Sequence, residues 1–387
     1  MTGVGREPLI VLFADVLVGF GGIETYLDAL ARTLHVEGRR FKVAVCLNGP
    51  TPFLDDLEAM GIEVDRQPRV PGDRFLVRQR LLVHRVARAL HPGDWVFCVR
   101  QPMAGVYPHL VRAVHARGAK VAASWIYAPR FLPPPPGRSG RAFCRAVART
   151  DAVVSVSHCT RGEFAEVYGY RGPVSVVRYH NSPLFDRPVP LPPTPPYAVG
   201  FMGRIDVHQK NLDTVIEAMR LLRTRRRDVV LNLHGGGPDI PQVAAMIEAA
   251  GLGDVVTMHG RYDHRSDLPG VVAASHVFLY TSRFEGGPCL SLVELLSAGR
   301  YVVASPVGGI PDLYAGRSDL GLLVPSDDPS AIADGIEAAL GKVASGDVDP
   351  RTIRHAYDAE YCLQAAHRDW LATLRLDRAP PPPPGTS

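Results

Sequence analysis

Two carboxylates, two cations and a run of glycines hold the chemistry that this chain of 387 residues can do. Glu285 and Glu294 bracket Gly286, Gly287, Pro288, Cys289, Leu290 and Ser291. The glycines let backbone approach a ligand closely. Pro288 suits the first turn of a helix, where a missing N–H costs nothing. The N–H groups of Cys289, Leu290 and Ser291 then lack intrahelical acceptors and form an anion site suited to a phosphate. Carboxylates beside such a site are costly unless they hold hydroxyls or a cation, so the implied ligand carries phosphate and sugar together. Upstream, Gly203-Arg204 and Lys210 add a guanidinium that can fork onto phosphate oxygens and an ammonium point charge. Each charge-assisted bond contributes about 1.5–3 kcal/mol. Lys210 is one of only four lysines, with Lys42, Lys120 and Lys342. Read without a ligand, the same stretches are a strand–loop–helix crossover with solvated carboxylates and a solvated cation pair on a loop.

The elements that must position these residues follow from the apolar pattern. Val277–Tyr280 is a short apolar run of the kind that fills a buried parallel strand. Leu290, Val293, Leu295 and Leu296 mark a helix that stops at Gly299, and Tyr301–Ala304 is the next strand. Ala198–Met202 leads into Gly203-Arg204, with a helix from Leu212 to Leu222 beyond Lys210. Val229–Leu233 ends at His234-Gly235-Gly236-Gly237, and Val255–Gly260 ends at Arg261 and Tyr262. In the first half, strand Leu9–Ala14 precedes Gly21, Gly22, Glu24 and a helix carrying Leu27, Leu30, Ala31 and Leu34. This is not a dinucleotide fingerprint: the third glycine is absent, and the second strand, Lys42–Leu47, ends in Asn48 rather than an acid. Strand Lys120–Ser124 runs into Trp125, Tyr127, Arg130 and four consecutive prolines. Strand Ala152–Val156 is followed by Ser157, which could equally be a plain helix cap. Arg74, Arg78, Arg85 and Arg88 fall on one face of a helix opposite Leu76, Leu82, Val83, Val86 and Leu90. An Arg-rich solvated face is preferred there over a helix lying on an anionic membrane.

These motifs resemble the retaining family-four, group 1 glycosyltransferases of the two-Rossmann (GT-B) fold. The likeness rests on Glu285, the Gly-rich loop and Glu294-Leu295-Leu296-Ser297-Ala298-Gly299, with Gly203-Arg204 and Lys210-Asn211 as the second motif. It is strong from 198 to 341 and diffuse from 1 to 190. The spacing of Glu285 and Glu294 is one residue longer than in the family. Trp125 and Tyr127 stand where many members carry a His, and Tyr179-His180-Asn181-Ser182 replaces an Asn-Gly element. The resemblance implies an α/β fold of two Rossmann-like domains facing a cleft, with the last helix crossing back to the first domain. It places donor contacts at Gly203, Arg204, Lys210, Gly236, Arg261, the loop 285–291 and Glu294. It makes Glu285, Arg204 and Lys210 catalytic, and it places Gly21, Gly22, Glu24, Trp125, Tyr127 and Ser157 at the acceptor or cleft. No cofactor and no metal are expected beyond the co-substrate.

Bulk properties fit this reading. The length suggests two domains: 1–190, a Pro-rich linker at 191–197, 198–350, a helix 351–378 returning to the first domain, and a disordered tail 379–387. A net charge of +4, without aromatic-and-basic repeats, gives no reason to expect nucleic acid. Six scattered cysteines show no zinc or disulfide spacing, which fits a cytoplasmic protein. The apolar run from Leu9 to Val18 is broken by Asp15 and too short to span a bilayer. The expected reaction moves a hexose or N-acetylhexosamine from a UDP-sugar, or next a GDP-sugar, to a small-molecule or glycan acceptor in bacterial biosynthesis. Peripheral membrane contact is the less favoured option. Epimerase, hydrolase and noncatalytic sugar-nucleotide-binding readings remain as alternatives. A phosphorylase would need a Schiff-base lysine, and only Lys210 is near.

Overall fold

The computed structural model describes residues 6–17, 22–68, 72, 74–178, 185–263 and 266–374, without the side chains of 363 and 364. Gly21, the Tyr179–Ser182 element and the expected tail 379–387 lie outside the described residues. The chain forms two compact units, one ending at Arg178 and taking the chain up again at Gln364, the other filling the interval between.

In the first unit the strands are β1 (Ile10–Leu17), β2 (Phe41–Leu47), β3 (Val64–Gln67), β4 (Trp95–Cys98), β5 (Lys120–Trp125), β6 (Ala152–Ser155) and β7 (Val174–Val176). They form one parallel sheet in the order β3-β2-β1-β4-β5-β6-β7. The helices between them are α1 (Gly22–Val36), α2 (Phe53–Ala59), α3 (Phe75–Ala89), α4 (Tyr107–His115), α5 (Gly137–Val147) and α6 (Glu163–Tyr168). β1 is buried along its whole length, as a strand covered by helices on both faces must be.

The second unit contains β8 (Tyr197–Met202), β9 (Val229–His234), β10 (Val256–Gly260), β11 (Val277–Tyr280), β12 (Tyr301–Ala304) and β13 (Gly321–Leu323), parallel in the order β10-β9-β8-β11-β12-β13. Its helices are α7 (Val207–Lys210), α8 (Leu212–Arg225), α9 (Ile240–Ala249), α10 (Leu268–Ala273), α11 (Leu290–Ser297), α12 (Pro311–Tyr314), α13 (Pro329–Ser345) and α14 (Pro350–Glu360). The order reverses between β1 and β4 in one sheet and between β8 and β11 in the other. In open parallel sheets, ligands bind outside the carboxyl ends at that point. Arg204 follows β8 and Glu285 follows β11, so the second reversal point is where the sequence motifs converge.

Three features differ from expectation. The Pro-rich run is pinned to the second unit rather than left as a spacer. Fully buried Arg300 donates to the carbonyls of Val189 at 2.5 Å and Pro190 at 2.7 Å, and His276 Nε2 meets the Pro192 carbonyl at 3.0 Å. The single helix expected through 351–378 is, among the described residues, two helices, α14 and α15 (Leu363–Thr373). Tyr361 is buried in the second core and Trp370 in the first unit, so the chain turns between them. In α15, Trp370 packs edge-on against Phe97 at 5.2 Å. On α3 the arginines do not share one solvated face. Arg78 is buried on the carbonyls of Leu47 and Pro68, and Leu76 is exposed. No helix among the described residues is long and apolar enough to cross a membrane.

Candidate functional site

The carboxyl ends of β8, β9 and β10 are drawn together by backbone contacts that only glycine allows. Gly203 donates to the His234 carbonyl at 3.0 Å, and Gly235 donates to the Gly260 carbonyl at 2.8 Å. A Cβ on Gly235 would stand 1.7 Å from the Gly203 carbonyl oxygen, at φ +154°. Gly236 lies against the Arg261 side chain, where a Cβ would come within 2.4 Å of Nε. Three residues expected at the donor site, Gly203, Gly236 and Arg261, are thus gathered on adjoining loops.

Lys210 ends the short helix α7, whose Asp206 cap accepts from the Gln209 N–H at 2.9 Å. The Lys210 ammonium is buried over the face of Tyr280, 4.7 Å from the ring centroid. It donates to Glu285 Oε1 at 2.5 Å and to the Tyr280 hydroxyl at 2.9 Å. Glu285 is equally buried and meets Gln209 Nε2 at 3.5 Å through its other oxygen. The two motifs, distant in sequence, therefore join in one buried ion pair. Arg204 stays outside it. Its side chain is 63% exposed and lies 3.8 Å from Asp206, so it is available to an incoming anion.

The glycine loop differs in detail from expectation. α11 begins at Leu290 with Cys289 as its cap residue, so Pro288 precedes the helix instead of occupying its first turn. Gly286, Gly287 and Pro288 are buried, while Cys289, Leu290 and Ser291 are half-buried. The Leu292 N–H already bonds the Cys289 carbonyl at 3.1 Å, which leaves the N–H groups of the residues before it to face the site. Gly308 supports the loop from behind: a Cβ there would be 2.1 Å from the Glu285 carbonyl oxygen, at φ +55°. Glu294 is buried on α11. Its charge acts on Tyr262, whose phenol is pushed upward by burial first and by Glu294 and then Cys289 next. The Cys289 thiol, bonded to the Tyr280 hydroxyl at 2.5 Å, is pushed up to about 11 by burial, against the pull of Lys210.

Sequence reasoning missed Gln209 and Tyr280 as parts of this site, and it quoted Asn211 in the second motif without giving it a role. Asn211 is the only non-glycine at positive φ (60°) among the described residues. Its amide donates to the carbonyls of Thr281 and Ser326 at 3.0 and 2.5 Å, and its oxygen accepts from Thr214 at 2.7 Å. It thereby fixes the turn that aims Lys210. The available signal was an Asn between two helices, the residue most tolerant of that conformation after glycine.

The first-unit candidates are dispersed. Gly22 opens α1, and Glu24 is buried in its first turn. Tyr127 is exposed in the loop after β5. Trp125 is a core residue, correcting its expected place at the acceptor or cleft. It is 1% exposed, edge-on to Phe164 at 5.5 Å and to Tyr107 at 6.4 Å, with its N–H 3.4 Å from the Tyr168 hydroxyl. The cause is the covering of the sheet on both faces, which buries every residue of β5 from Val121 to Trp125. Ser157 is fully buried and does not cap α6, which starts at Glu163. Its hydroxyl accepts from the Cys159 N–H at 3.1 Å within a local turn.

Residues 196–342 match the family model described as glycosyl transferases group 1, and residues 20–179 match glycosyltransferase family 4. Over 390 aligned residues the chain is 28% identical to the GDP-mannose-dependent alpha-(1-6)-phosphatidylinositol monomannoside mannosyltransferase of Mycobacterium tuberculosis, covering 91% of this chain and 90% of that protein. It is 32% identical over 179 residues to the 2-deoxystreptamine glucosyltransferase of Streptomyces kanamyceticus, covering 45% of this chain and 40% of that one. Its fold is similar to that of a glycosyltransferase from Rickettsia africae, with a TM-score of 0.77, 16% identity and coverage of 96% and 98%. With two parallel Rossmann-like sheets and family matches over both halves, the chain belongs to the family-four, group 1 glycosyltransferases of the GT-B fold.

Proposed function

We propose that this glycosyltransferase moves a hexose from a nucleoside diphosphate sugar to a hydroxyl of a small-molecule or glycan acceptor, with retention at the anomeric carbon and without a metal. The buried Lys210–Glu285 pair beside exposed Arg204 carries the reading. It sets one buried and one exposed cation, a carboxylate and a helix N-terminus around the β8–β11 reversal. In this assignment Arg204, Lys210 and the N–H groups at the start of α11 hold the diphosphate and take up charge as it leaves. Glu294 holds the ribose hydroxyls. Glu285 faces the transferred sugar and stabilises positive charge at its anomeric carbon. The bond from that carbon to phosphate oxygen breaks, and the bond to the acceptor oxygen forms on the same face. The acceptor proton passes to the departing phosphate oxygen, so no separate base is needed. The mycobacterial relative, named for its use of GDP-mannose, supports placing GDP-sugars ahead of the UDP-sugars preferred from sequence.

Thermal melting with GDP, UDP, ADP and dTDP, each without metal, tests the donor. At 100 times its dissociation constant the right nucleotide stabilises by about 2.7 kcal/mol. A shift with none of the four overturns the donor assignment. An inverted anomeric proton signal in the product overturns retention.

A further inference from the structure

We propose that Tyr280 is a positioning residue for the donor: its hydroxyl aims the Lys210 ammonium and ties it to the first turn of α11. This role rests on the donor assignment proposed above, in which Lys210 and the start of α11 hold the diphosphate.

The place of Tyr280 in the fold suits that task. It is the last residue of β11, which lies between β8 and β12, and it stands opposite Ala304 of β12. Its carbonyl accepts from the Ser305 N–H at 3.1 Å, and the residue is 3% exposed. A central strand therefore carries the ring and its hydroxyl, and groups on strands are held more precisely than groups on loops. Glu285, the other partner of Lys210, stands on the loop that follows β11.

The hydroxyl joins two elements assigned to the diphosphate. It accepts from Lys210 Nζ at 2.9 Å, while the ammonium also sits 4.7 Å from the centroid of the same ring. On its other side it meets the thiol of Cys289, the cap residue of α11. Lys210 spends a second N–H on Glu285 Oε1. An ammonium has three donors. Among the described residues one is thus left for a phosphate oxygen, and the two protein partners set its direction. These partners differ in kind. Glu285 is assigned to the transferred sugar, so its carboxylate is shared once the donor is bound. Tyr280 is not shared. Burial, then Cys289 and Glu285, push its phenol well above the ordinary value. It therefore stays a neutral hydroxyl, which orients the ammonium without cancelling its charge. Tyr280 is the partner that keeps Lys210 in place as the leaving diphosphate gains charge.

The test is Tyr280→Phe, which keeps the ring beneath Lys210 and removes one oxygen. Near-ultraviolet circular dichroism checks that its packing matches the parent. Calorimetry of the full chain is run with GDP, UDP, ADP and dTDP, each without metal. The nucleotide that binds the parent should bind Tyr280→Phe about 10-fold more weakly, the lower end of the loss when the support of a ligating side chain is removed. Lysine labelled with heavy nitrogen at Nζ gives a magnetic-resonance readout that packing alone would not move. The chain has four lysines, and Lys210→Arg identifies the Lys210 signal by its loss. In Tyr280→Phe that signal should shift and its protons should exchange faster with solvent. Cys289→Ala cuts the tie on the α11 side and should weaken nucleotide binding while leaving the Lys210 signal in place. Parent-like affinity in Tyr280→Phe, or in Cys289→Ala, overturns the tie while the donor assignment stands. Weaker binding in Tyr280→Phe with an unmoved Lys210 signal also overturns it, since Tyr280 would then act by packing. A parent that binds none of the four nucleotides overturns the donor assignment and this role with it.

Discussion

Breaking the Lys210–Glu285 pair from one side should cost more stability than removing it altogether. Both side chains are more than nine-tenths buried, and their charges meet at 2.5 Å beneath the ring of Tyr280. In Lys210→Met, Glu285 keeps a buried charge with only Gln209 at 3.5 Å to answer it. In Glu285→Gln, the ammonium keeps Tyr280 but loses its counter-charge. Leaving one member of a buried pair uncompensated costs about 3–5 kcal/mol. For a unit of about 185 residues this lowers its melting temperature by about 8–13 °C. The double variant buries no net charge and should recover most of the loss. Melting of the four ligand-free proteins, followed by near-ultraviolet circular dichroism, measures the coupling. Single variants within about 1 kcal/mol of the parent, or losses that simply add in the double variant, would refute the reasoning. The double variant should also be folded yet inactive in sugar transfer, separating the pair's structural part from its chemical one.

Other residues yield further expectations. Arg204→Ala removes a side chain that is 63% exposed, so stability should change by less than about 0.5 kcal/mol. GDP affinity, read by calorimetry, should fall about 10–100-fold. Burial, then the stacked ring of His259, lowers His234 to about 4. The unfolded chain therefore binds the extra proton first, and stability falls as pH drops from 6.5 toward 4, by at most about 3 kcal/mol. His234→Asn should flatten that slope in a melting series, and an unchanged slope would count against the assignment. Trp125→Ala should cost about 3–5 kcal/mol as a core cavity. In Trp125→Phe, acceptor KM should stay unchanged, whereas a large rise would return Trp125 to the acceptor site.

Much of the second unit was legible in the sequence because its signals are local. Apolar runs at Val277–Tyr280 and Tyr301–Ala304 became β11 and β12, and the helix stop at Gly299 matches a residue at φ +72°. Gly203, Arg204, Lys210 and Glu285 stood out in the sequence because phosphate chemistry would restrict residue types beside a glycine turn, and the structure brings Lys210 and Glu285 together. What escaped was set by tertiary structure. Nothing local says that Lys210 will be satisfied by Glu285 and Tyr280, or that Asn211 will tie its turn to Thr281 and Ser326. Trp125 was misplaced because an aromatic residue at a strand end looks the same whether it faces the core or a ligand. The proline run was read as a spacer because its anchors, His276 and Arg300, lie far along the chain.

The return of α15 sets an order on biosynthesis. The first unit's sheet ends with β7, but its packing is finished only by a helix made after the whole second unit. Until then Phe97 lacks Trp370, and Glu37 lacks His367, which approaches it at 2.7 Å. During synthesis the amino-terminal half must therefore wait with part of its apolar surface uncovered while the later half gathers its own core. Vectorial translation thus delivers the second unit to completion first, although its residues emerge from the ribosome last but for one helix.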